Sequence, residues 1–343
     1  MKLVFVTQQV DPAHPALGAT VPKIRALARL VDEVVVLADG AVEGVLPPNC
    51  RVRTFAARAK ALRGARFETA LARELPGLRG GAVVAHMCPI YAVLAAPLAR
   101  PLGVPLVLWF THWRASRLLR AAERASTVVT SVDARSFPLD SRKVRGIGHG
   151  IDLSEFECSP PRGGTGLRLL ALGRYSPAKG LDVILRALAQ TGPDVELSVH
   201  GPTLSAEESA QRATLEALVA DLGLGGRVDL GAPVPRSGVA ALLAEHDVLV
   251  NNMRAGAPDK VVFEAAAACR PVLASNPVFD SFLDPEQRFA RDDPRELADR
   301  IRVVQALGAE ERAELGRRLR ERVEAGHSVE SWARGILEAA GSS

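Results

Sequence analysis

Short runs of aliphatic and β-branched residues alternate with longer stretches of helical periodicity over almost the whole sequence. Strands that alternate with helices in this way form parallel sheets that are covered by helices on both faces. The pattern therefore predicts an α/β fold, with strands at residues 2–6, 34–37, 52–55, 83–85, 106–110, 127–130, 143–147, 167–172, 196–200, 227–230, 248–250 and 272–274.

The length of 343 residues indicates two domains, since a domain holds roughly 100 to 200 residues. Residues 159–166, Ser-Pro-Pro-Arg-Gly-Gly-Thr-Gly, are too rich in proline and glycine for the interior of a helix or strand. We therefore place the boundary there. We predict an N-terminal Rossmann-like domain at 1–160, a second at 161–325 and a C-terminal helix at 326–343.

The composition limits the functions that this chain can have. With 48% hydrophobic and 24% charged residues it is typical of a soluble globular protein, and 4% aromatic residues argue against a base-stacking nucleic-acid binder. No apolar run reaches the roughly 18 residues of a membrane span, and the first apolar stretch is too short for a signal peptide. We therefore expect a cytoplasmic protein.

The four cysteines are scattered, without a CxxC pair or neighbouring histidines. This spacing indicates neither a zinc site nor a disulfide framework, so we expect small apolar fillers.

The positive charge lies in the N-terminal half, where residues 1–160 carry 21 Lys and Arg against 13 Asp and Glu. Such a half can face a phosphate-rich partner or anionic lipid, or its arginines can simply cover solvated helices. Residues 51–79 mix arginine with Phe55, Leu62, Phe67 and Leu71, so a basic amphipathic helix could contact the inner membrane face and a lipid-linked acceptor. A solvated surface helix is the alternative. No nucleic-acid-binding module is present, so we expect no nucleic-acid partner.

Ligands of open α/β sheets bind where strands end and helices begin, because the free amides of helix N-termini attract anions. The loop after the first strand holds Gly18 but not the GxGxxG of dinucleotide-binding proteins. Gly18 could admit a phosphate or serve turn geometry alone. The fifth strand ends in Thr111 and His112, and this histidine could bond a ligand hydroxyl or be structural.

Two cations flank the loop that follows the first strand of the second half. Arg174 and Lys179, in Gly173-Arg-Tyr-Ser-Pro-Ala-Lys-Gly180, could grip both ends of a diphosphate. The alternative is a solvated turn with two unrelated charges.

The last strand-to-helix junction places a carboxylate in an apolar helix. Pro258 suits the first helical position, which puts free amides around residues 259–261 and Glu264 one turn further on. Phe263 and the alanines that follow Glu264 are apolar, so this carboxylate needs a partner. Two vicinal hydroxyls, as on a ribose, are one such partner.

These motifs resemble glycosyltransferase family 4, whose members are retaining GT-B enzymes that use nucleotide-activated sugars. Further similar segments are residues 197–202, 227–231, 247–250, 264–272 and 149–156. The resemblance implies that the donor is bound by Gly18, Gly173, Arg174, Lys179, Gly201, Gly256, Lys260, Val261 and Glu264. It implies catalytic roles for His112 near the transferred sugar, for Arg174 and Lys179 at the leaving diphosphate, and for Asp259.

The resemblance also implies an architecture and a reaction. We expect two Rossmann-like domains whose parallel sheets face each other across a cleft, with residues 326–343 packing back on the N-terminal domain. The enzyme would move a hexose, with retention, from a UDP- or GDP-sugar to a glycan, lipid-linked or small-molecule acceptor, in polysaccharide or glycoconjugate biosynthesis. Since the sequence has no Asp-x-Asp, we expect metal-independent transfer and no cofactor besides the donor.

One position departs from the family pattern. Gly256 stands eight residues before Glu264, where the family usually carries the first glutamate of its Glu-x7-Glu motif. We hypothesise that Asp259 supplies the missing carboxylate. The alternatives are a non-catalytic nucleotide-sugar-binding partner subunit, or a sugar-nucleotide epimerase or phosphorylase on the same scaffold.

Overall fold

A computed structural model describes residues 1–14, 17–160 and 166–341. The strands in these ranges are Lys2–Val10 (β1), Glu33–Ala41 (β2), Cys50–Thr54 (β3), Ala82–His86 (β4), Leu106–Trp109 (β5), Val128–Ser131 (β6), Val144–Gly146 (β7), Leu167–Leu172 (β8), Val195–His200 (β9), Val228–Gly231 (β10), Val248–Asn251 (β11) and Val272–Ala274 (β12). The α-helices are Thr20–Ala28 (α1), Lys60–Glu74 (α2), Pro89–Ala99 (α3), Arg117–Ala125 (α4), Leu181–Leu188 (α5), Ala206–Asp221 (α6), Val239–Ala244 (α7), Lys260–Ala267 (α8), Pro294–Ala306 (α9), Ala309–Gly326 (α10) and Val329–Gly341 (α11).

The chain forms two compact units, each built on a parallel sheet. Unit 1 comprises Met1–Asp152 and Ala325–Ser343, and its sheet has the order β3-β2-β1-β4-β5-β6-β7. Unit 2 comprises Leu153–Glu324, with the order β10-β9-β8-β11-β12. Every predicted strand is present and every strand pairing is parallel, which confirms the α/β class with parallel sheets. The strand order reverses between β1 and β4 and between β8 and β11, where such sheets bind ligands.

The units separate after Asp152, ahead of the boundary that the sequence predicts at residue 160. The reason is that residues following Asp152 bond within unit 2. The carbonyl of Phe156 accepts a hydrogen bond from Arg320, and Glu155 forms an ion pair with Arg236. Residues 161–165 of the predicted linker lie outside the described residues.

The expectation that all four cysteines are fillers is wrong for two of them. Cys158 and Cys269 form a disulfide in unit 2, with their Cα atoms 5.1 Å apart and a sequence separation of 111 residues. The sequence did not reveal this pair because the two cysteines are far apart along the chain. Only folding brings the segment that enters unit 2 next to the end of α8. Cys50 and Cys88 are free thiols, and burial raises the pKa of Cys88 to about 12.

The C-terminal helix α11 belongs to unit 1 and packs on α1, β5 and β6. Its Trp332 is fully buried and meets Trp109 edge-to-face, with ring centroids 5.7 Å apart. The ammonium of Lys23, on α1, lies 4.7 Å from the Trp109 centroid and 5.0 Å from that of Trp332. These cation–π contacts favour a charge that is otherwise buried.

The apolar face of α2 serves the core of unit 1. Phe55, Phe67 and Leu71 are fully buried, and only Leu62 of the four apolar residues in the predicted lipid-facing segment is exposed. An apolar helix face packs equally well on a core or in a bilayer, so the periodicity could not separate the two. Contact between the remaining basic surface and an anionic membrane stays a prediction. Within the described ranges, no helix combines the length and apolarity that a membrane crossing requires.

From the disulfide we predict how many thiols of the chain react and how stable unit 2 is. Denatured, unreduced protein should react with a thiol reagent at two cysteines rather than four. The free energy of unfolding of the Cys158→Ser variant should be about 2–4 kcal/mol lower than that of the wild type, because the cross-link closes a long loop of the unfolded chain. Calorimetric unfolding checks this, with Cys50→Ser as the control. Four reactive thiols in the unreduced protein would contradict the prediction.

His327 predicts how the stability of unit 1 depends on pH. Burial lowers the pKa of this imidazole from 6.5 to about 4. As the pH falls, His327 therefore takes up a proton in the unfolded chain before it does so in the folded one. Its contribution lowers the free energy of unfolding between pH 6.5 and about pH 4, by roughly 3 kcal/mol at most, and has no effect above pH 6.5. All three tryptophans lie in unit 1, so denaturant unfolding followed by tryptophan emission measures this loss. His327→Gln should flatten the slope between pH 4 and 6.5, whereas an unchanged slope, equal to that of a His14→Gln control, contradicts the assignment.

Candidate functional site

Two loops meet at the carboxyl ends of the neighbouring strands β8 and β11, where the strand order of unit 2 reverses. The side chain of Asn252 donates to the carbonyl of Gly180 at 2.9 Å, and the backbone N–H of Arg254 donates to the carbonyl of Ala178 at 3.2 Å. These bonds tie the predicted diphosphate loop to the loop that leads into α8. The sequence places these loops at strand ends, and the structure shows them in contact.

Glycines allow the close approach of strand ends in this site. Gly173 has φ +142°, and a Cβ at Gly201 would lie 1.9 Å from the carbonyl oxygen of Gly173. A side chain at Gly201 would therefore push β9 away from the end of β8. Both predicted donor-binding glycines have a geometric role in shaping the loop.

Lys179 and Asp259 form an ion pair between the two loops. The Asp259 carboxylate also accepts a hydrogen bond from the side-chain amide of Asn251 at 2.8 Å. Lys179 is largely buried, so its charge needs this partner when no ligand is present. Lys179, predicted at the leaving diphosphate, and Asp259, predicted to supply the missing carboxylate, are thus a single charge pair.

Arg174 points to a different carboxylate. Its guanidinium lies 3.1 Å from the buried carboxylate of Glu208, which also accepts the backbone N–H of Leu204 at the start of α6. The next residue, Tyr175, is fully buried, and its hydroxyl lies 2.9 Å from the carbonyl of Gly231. Tyr175 therefore anchors the loop, while more than half of the Arg174 side chain stays exposed to solvent.

Glu264 lies within a second cluster of charges. Lys260, one turn earlier on α8, and Arg236 both contact its Oε1, at 2.6 and 3.0 Å, and Arg236 also pairs with Glu155. No hydrogen bond from a described residue reaches Oε2 of Glu264. One carboxylate oxygen is thus fixed by two cations and the other can accept from a ligand.

The start of α8 differs from the prediction. The helix begins at Lys260 with Asp259 as its N-cap, so Pro258 lies outside the helix rather than at its first position. Val261 is buried in the first turn, among the core residues of the helix. Gly256 has φ +134°, a conformation that residues with a side chain rarely adopt, so a glutamate at this position would be strained.

The two candidate residues of unit 1 lie on separate loops. Gly18 is buried, and its N–H donates to the carbonyl of His14 at 2.8 Å, so this amide is already bonded. His112 is exposed after β5, and its Nδ1 accepts the backbone N–H of Arg114 at 3.1 Å. Partial desolvation of the ring, and next the charge of Arg114, lower the pKa of His112 from its ordinary value, which favours the neutral form at pH 7.

Metal ligands do not cluster in the part of the chain that the structure describes: no three histidine, cysteine or acidic side chains there are placed to hold an ion. Metal-independent transfer remains a prediction.

Sequence reasoning missed four site residues: Asn251, Glu208, Arg236 and Glu155. Ser205-x-x-Glu208 is a capping-box pattern, which predicts a helix start but not a partner for Arg174. Asn251 ends a buried strand, a position that could have been noticed. Nothing in the sequence pairs Arg236 with Glu155, because 81 positions separate them.

Comparison with known proteins identifies the fold and one similar family. Residues 182–338 match the model of a family described as "Glycosyl transferase-like". That match includes α8 but begins after Arg174 and Lys179. No curated protein matches the chain in sequence at a significant level.

Solved structures match the whole chain. The sucrose-phosphate synthase of Thermosynechococcus elongatus is 19% identical, with a TM-score of 0.73, covering 98% of this chain and 97% of that one. The Anabaena protein HepE in complex with UDP-glucose is 18% identical, with a TM-score of 0.75 and 100% of both chains covered. A glycosyltransferase from Rickettsia africae is 13% identical, with a TM-score of 0.76, covering 99% and 98%. The fold of this chain is that of the GT-B glycosyltransferases.

Proposed function

We propose that this chain is a retaining glycosyltransferase that moves a hexose from a UDP-sugar to an acceptor, using unit 2 as its donor site. The observation that carries the proposal is the pair of loops after β8 and β11, which bring Lys179, Asp259 and the start of α8 together at the switch point of the sheet. The family match over residues 182–338 and the solved relative that binds UDP-glucose support it.

Lys179 and Arg174 would stabilise the leaving diphosphate. Each cation is paired with a carboxylate of this chain, Lys179 with Asp259 and Arg174 with Glu208. A diphosphate carries more negative charge than one carboxylate, so it would take over these partners on binding. Because the cations are already in place, they stabilise charge that develops on the leaving group without a large rearrangement.

Glu264 would bind the nucleotide ribose through Oε2. The contacts of Lys260 and Arg236 with Oε1 fix the orientation of the carboxylate, so the second oxygen is held in one place. A ribose offers two vicinal hydroxyls as donors to such an oxygen.

His112 would orient the transferred sugar. Its neutral ring carries the proton on Nε2, because Nδ1 accepts the N–H of Arg114, so Nε2 can donate to a hydroxyl. Retention would follow from attack on the face that the diphosphate leaves, with a phosphate oxygen taking the acceptor proton. The two cations then supply the charge stabilisation for which other enzymes use a metal ion.

One observation favours a second candidate, a non-catalytic subunit that binds a nucleotide sugar. Gly256 has φ +134°, a conformation in which a glutamate would be strained, and it stands where the resembled family usually carries its first glutamate. In that case nucleotide affinity would persist without transfer to any acceptor.

Calorimetric titration with UDP, GDP and ADP tests the donor site. We expect UDP to bind, and the Arg174→Ala/Lys179→Ala double variant to bind it at least roughly 100-fold more weakly, since each charge-assisted bond is worth about 1.5–3 kcal/mol. Arg186→Ala, an exposed arginine of α5, is the matched control. Equal UDP affinity in the wild type and the double variant would overturn the site, as would the absence of binding by any nucleotide.

Substitution of Asp259 separates binding from chemistry. Asp259→Asn should bind UDP as tightly as the wild type or a few-fold more tightly, because Lys179 loses its competing carboxylate. The same variant should lose hexose transfer if Asp259 supplies the carboxylate that Gly256 cannot. UDP titration and product analysis by mass spectrometry measure the two effects, with the exposed Asp292→Asn as control. Transfer at the wild-type rate would reject this role for Asp259.

A further inference from the structure

Unit 1 exposes a tryptophan ring in a loop at the carboxyl end of its sheet. Trp109 and Trp332 are fully buried, whereas Trp113 is 46% exposed, in the loop between β5 and α4. An exposed tryptophan leaves a large apolar surface in water, and single exposed apolar side chains are common. Trp113 differs from an isolated exposed side chain because other rings pack against it.

A series of ring contacts connects Trp113 to the core of unit 1. Trp113 stacks on His112, with centroids 5.5 Å apart and planes 23° from parallel. His112 meets the buried Phe110 at 6.4 Å, and Phe110 meets the buried Phe137 edge-to-face at 6.2 Å. The exposed ring is thus the end of a packed aromatic stack, which restricts its rotamers.

The backbone before the stack is held in an unusual conformation. Met87, directly after β4, has φ +58°, which residues with a side chain rarely adopt. Its N–H donates to the carbonyl of Trp109 at 2.9 Å, and its sulfur accepts the N–H of Thr111 at 3.3 Å. Strain of this kind concentrates at functional sites. It lies here at the base of the loop that carries His112 and Trp113.

The stack combines an apolar ring face with a fixed hydrogen-bond donor. The N–H of Arg114 occupies Nδ1 of His112, so the proton of the neutral ring is on Nε2. A pyranose ring has the complementary chemistry: its C–H groups form an apolar face that packs on an indole, and hydroxyls surround that face.

We propose that Trp113, held by its stack on His112, forms a carbohydrate platform on which a pyranose ring of the acceptor packs beside the transferred sugar, so that the acceptor is a glycan. That the bound glycan is an acceptor rests on the proposed function. Binding of a sugar to the platform requires only unit 1. A membrane anchor fits less well, because the exposed neighbours of Trp113 in this loop are His112, Arg114, Ala115 and Ser116, which add no second large apolar side chain.

Tryptophan emission of the full chain tests the platform without a nucleotide. Maltose, cellobiose and lactose are titrated into the protein, with glycerol as a polyol that has no ring. We expect at least one disaccharide to change the emission saturably, and Trp113→Ala to weaken its binding, measured by calorimetry, by at least about tenfold. Trp113→Phe should recover part of the affinity because it restores a ring. Leu118→Ala, which removes an exposed apolar side chain at the start of α4, should bind as the wild type does.

Three outcomes would overturn the proposal: no saturable response to any disaccharide, equal affinity in Trp113→Ala, or a response only to phosphatidylglycerol vesicles. UDP titration of the same samples separates this result from the donor site. Sugar binding that depends on Trp113 in a protein that binds no nucleotide would support the platform and reject the proposed function. UDP binding without any response to a sugar would support the donor site and reject the platform.

Discussion

The ion pair between Lys179 and Asp259 is the interaction on which the candidate site depends. It lies where the strand order of unit 2 reverses, so no crossover helix covers the gap between the loops after β8 and β11. A largely buried ammonium without a ligand must have a counter-charge, and Asp259 at the N-cap of α8 provides it. The bond between Asn252 and Gly180 then holds the loops in register. The switch point of the sheet and the buried charge pair therefore lie at the same place in unit 2.

In unit 1, two aromatic rings lie against a buried cation. Lys23 is buried between Trp109 and Trp332, and Trp332 arrives on the C-terminal helix α11. Gly150 makes this packing possible, since a Cβ there would lie 2.6 Å from the Lys23 side chain. The last helix of the chain is thus part of the core that supports β5 and the loop following it. The C-terminal helix therefore packs on the strand that leads into the His112 loop.

The sequence was informative where local patterns decide the structure. All twelve strands were predictable because hydrophobic periodicity is local, and Arg174, Lys179 and Glu264 could be named as candidates because parallel strands end at one edge. Pairings over long sequence distances were not predictable: neither Arg236 with Glu155 nor the disulfide leaves a local pattern. The basic helix α2 was open to two interpretations because its apolar stripe has the same spacing whether it faces a core or a lipid. Pro258 was misplaced by two residues, since proline also suits the position before an N-cap.

The loop before α8 suggests how the chain compensates for its departure at Gly256. The φ of +134° turns the backbone, and the next carboxylate appears at Asp259, bound to Lys179 rather than exposed. On the proposed function, a diphosphate competes with Asp259 for Lys179 and releases that carboxylate only when the donor is present. Negative charge would then be available beside the leaving group at the moment when the sugar becomes positive, and it would be neutralised at all other times. On this proposal, donor binding and presentation of the carboxylate would be one exchange of partners at Lys179, which a fixed glutamate at residue 256 would not provide.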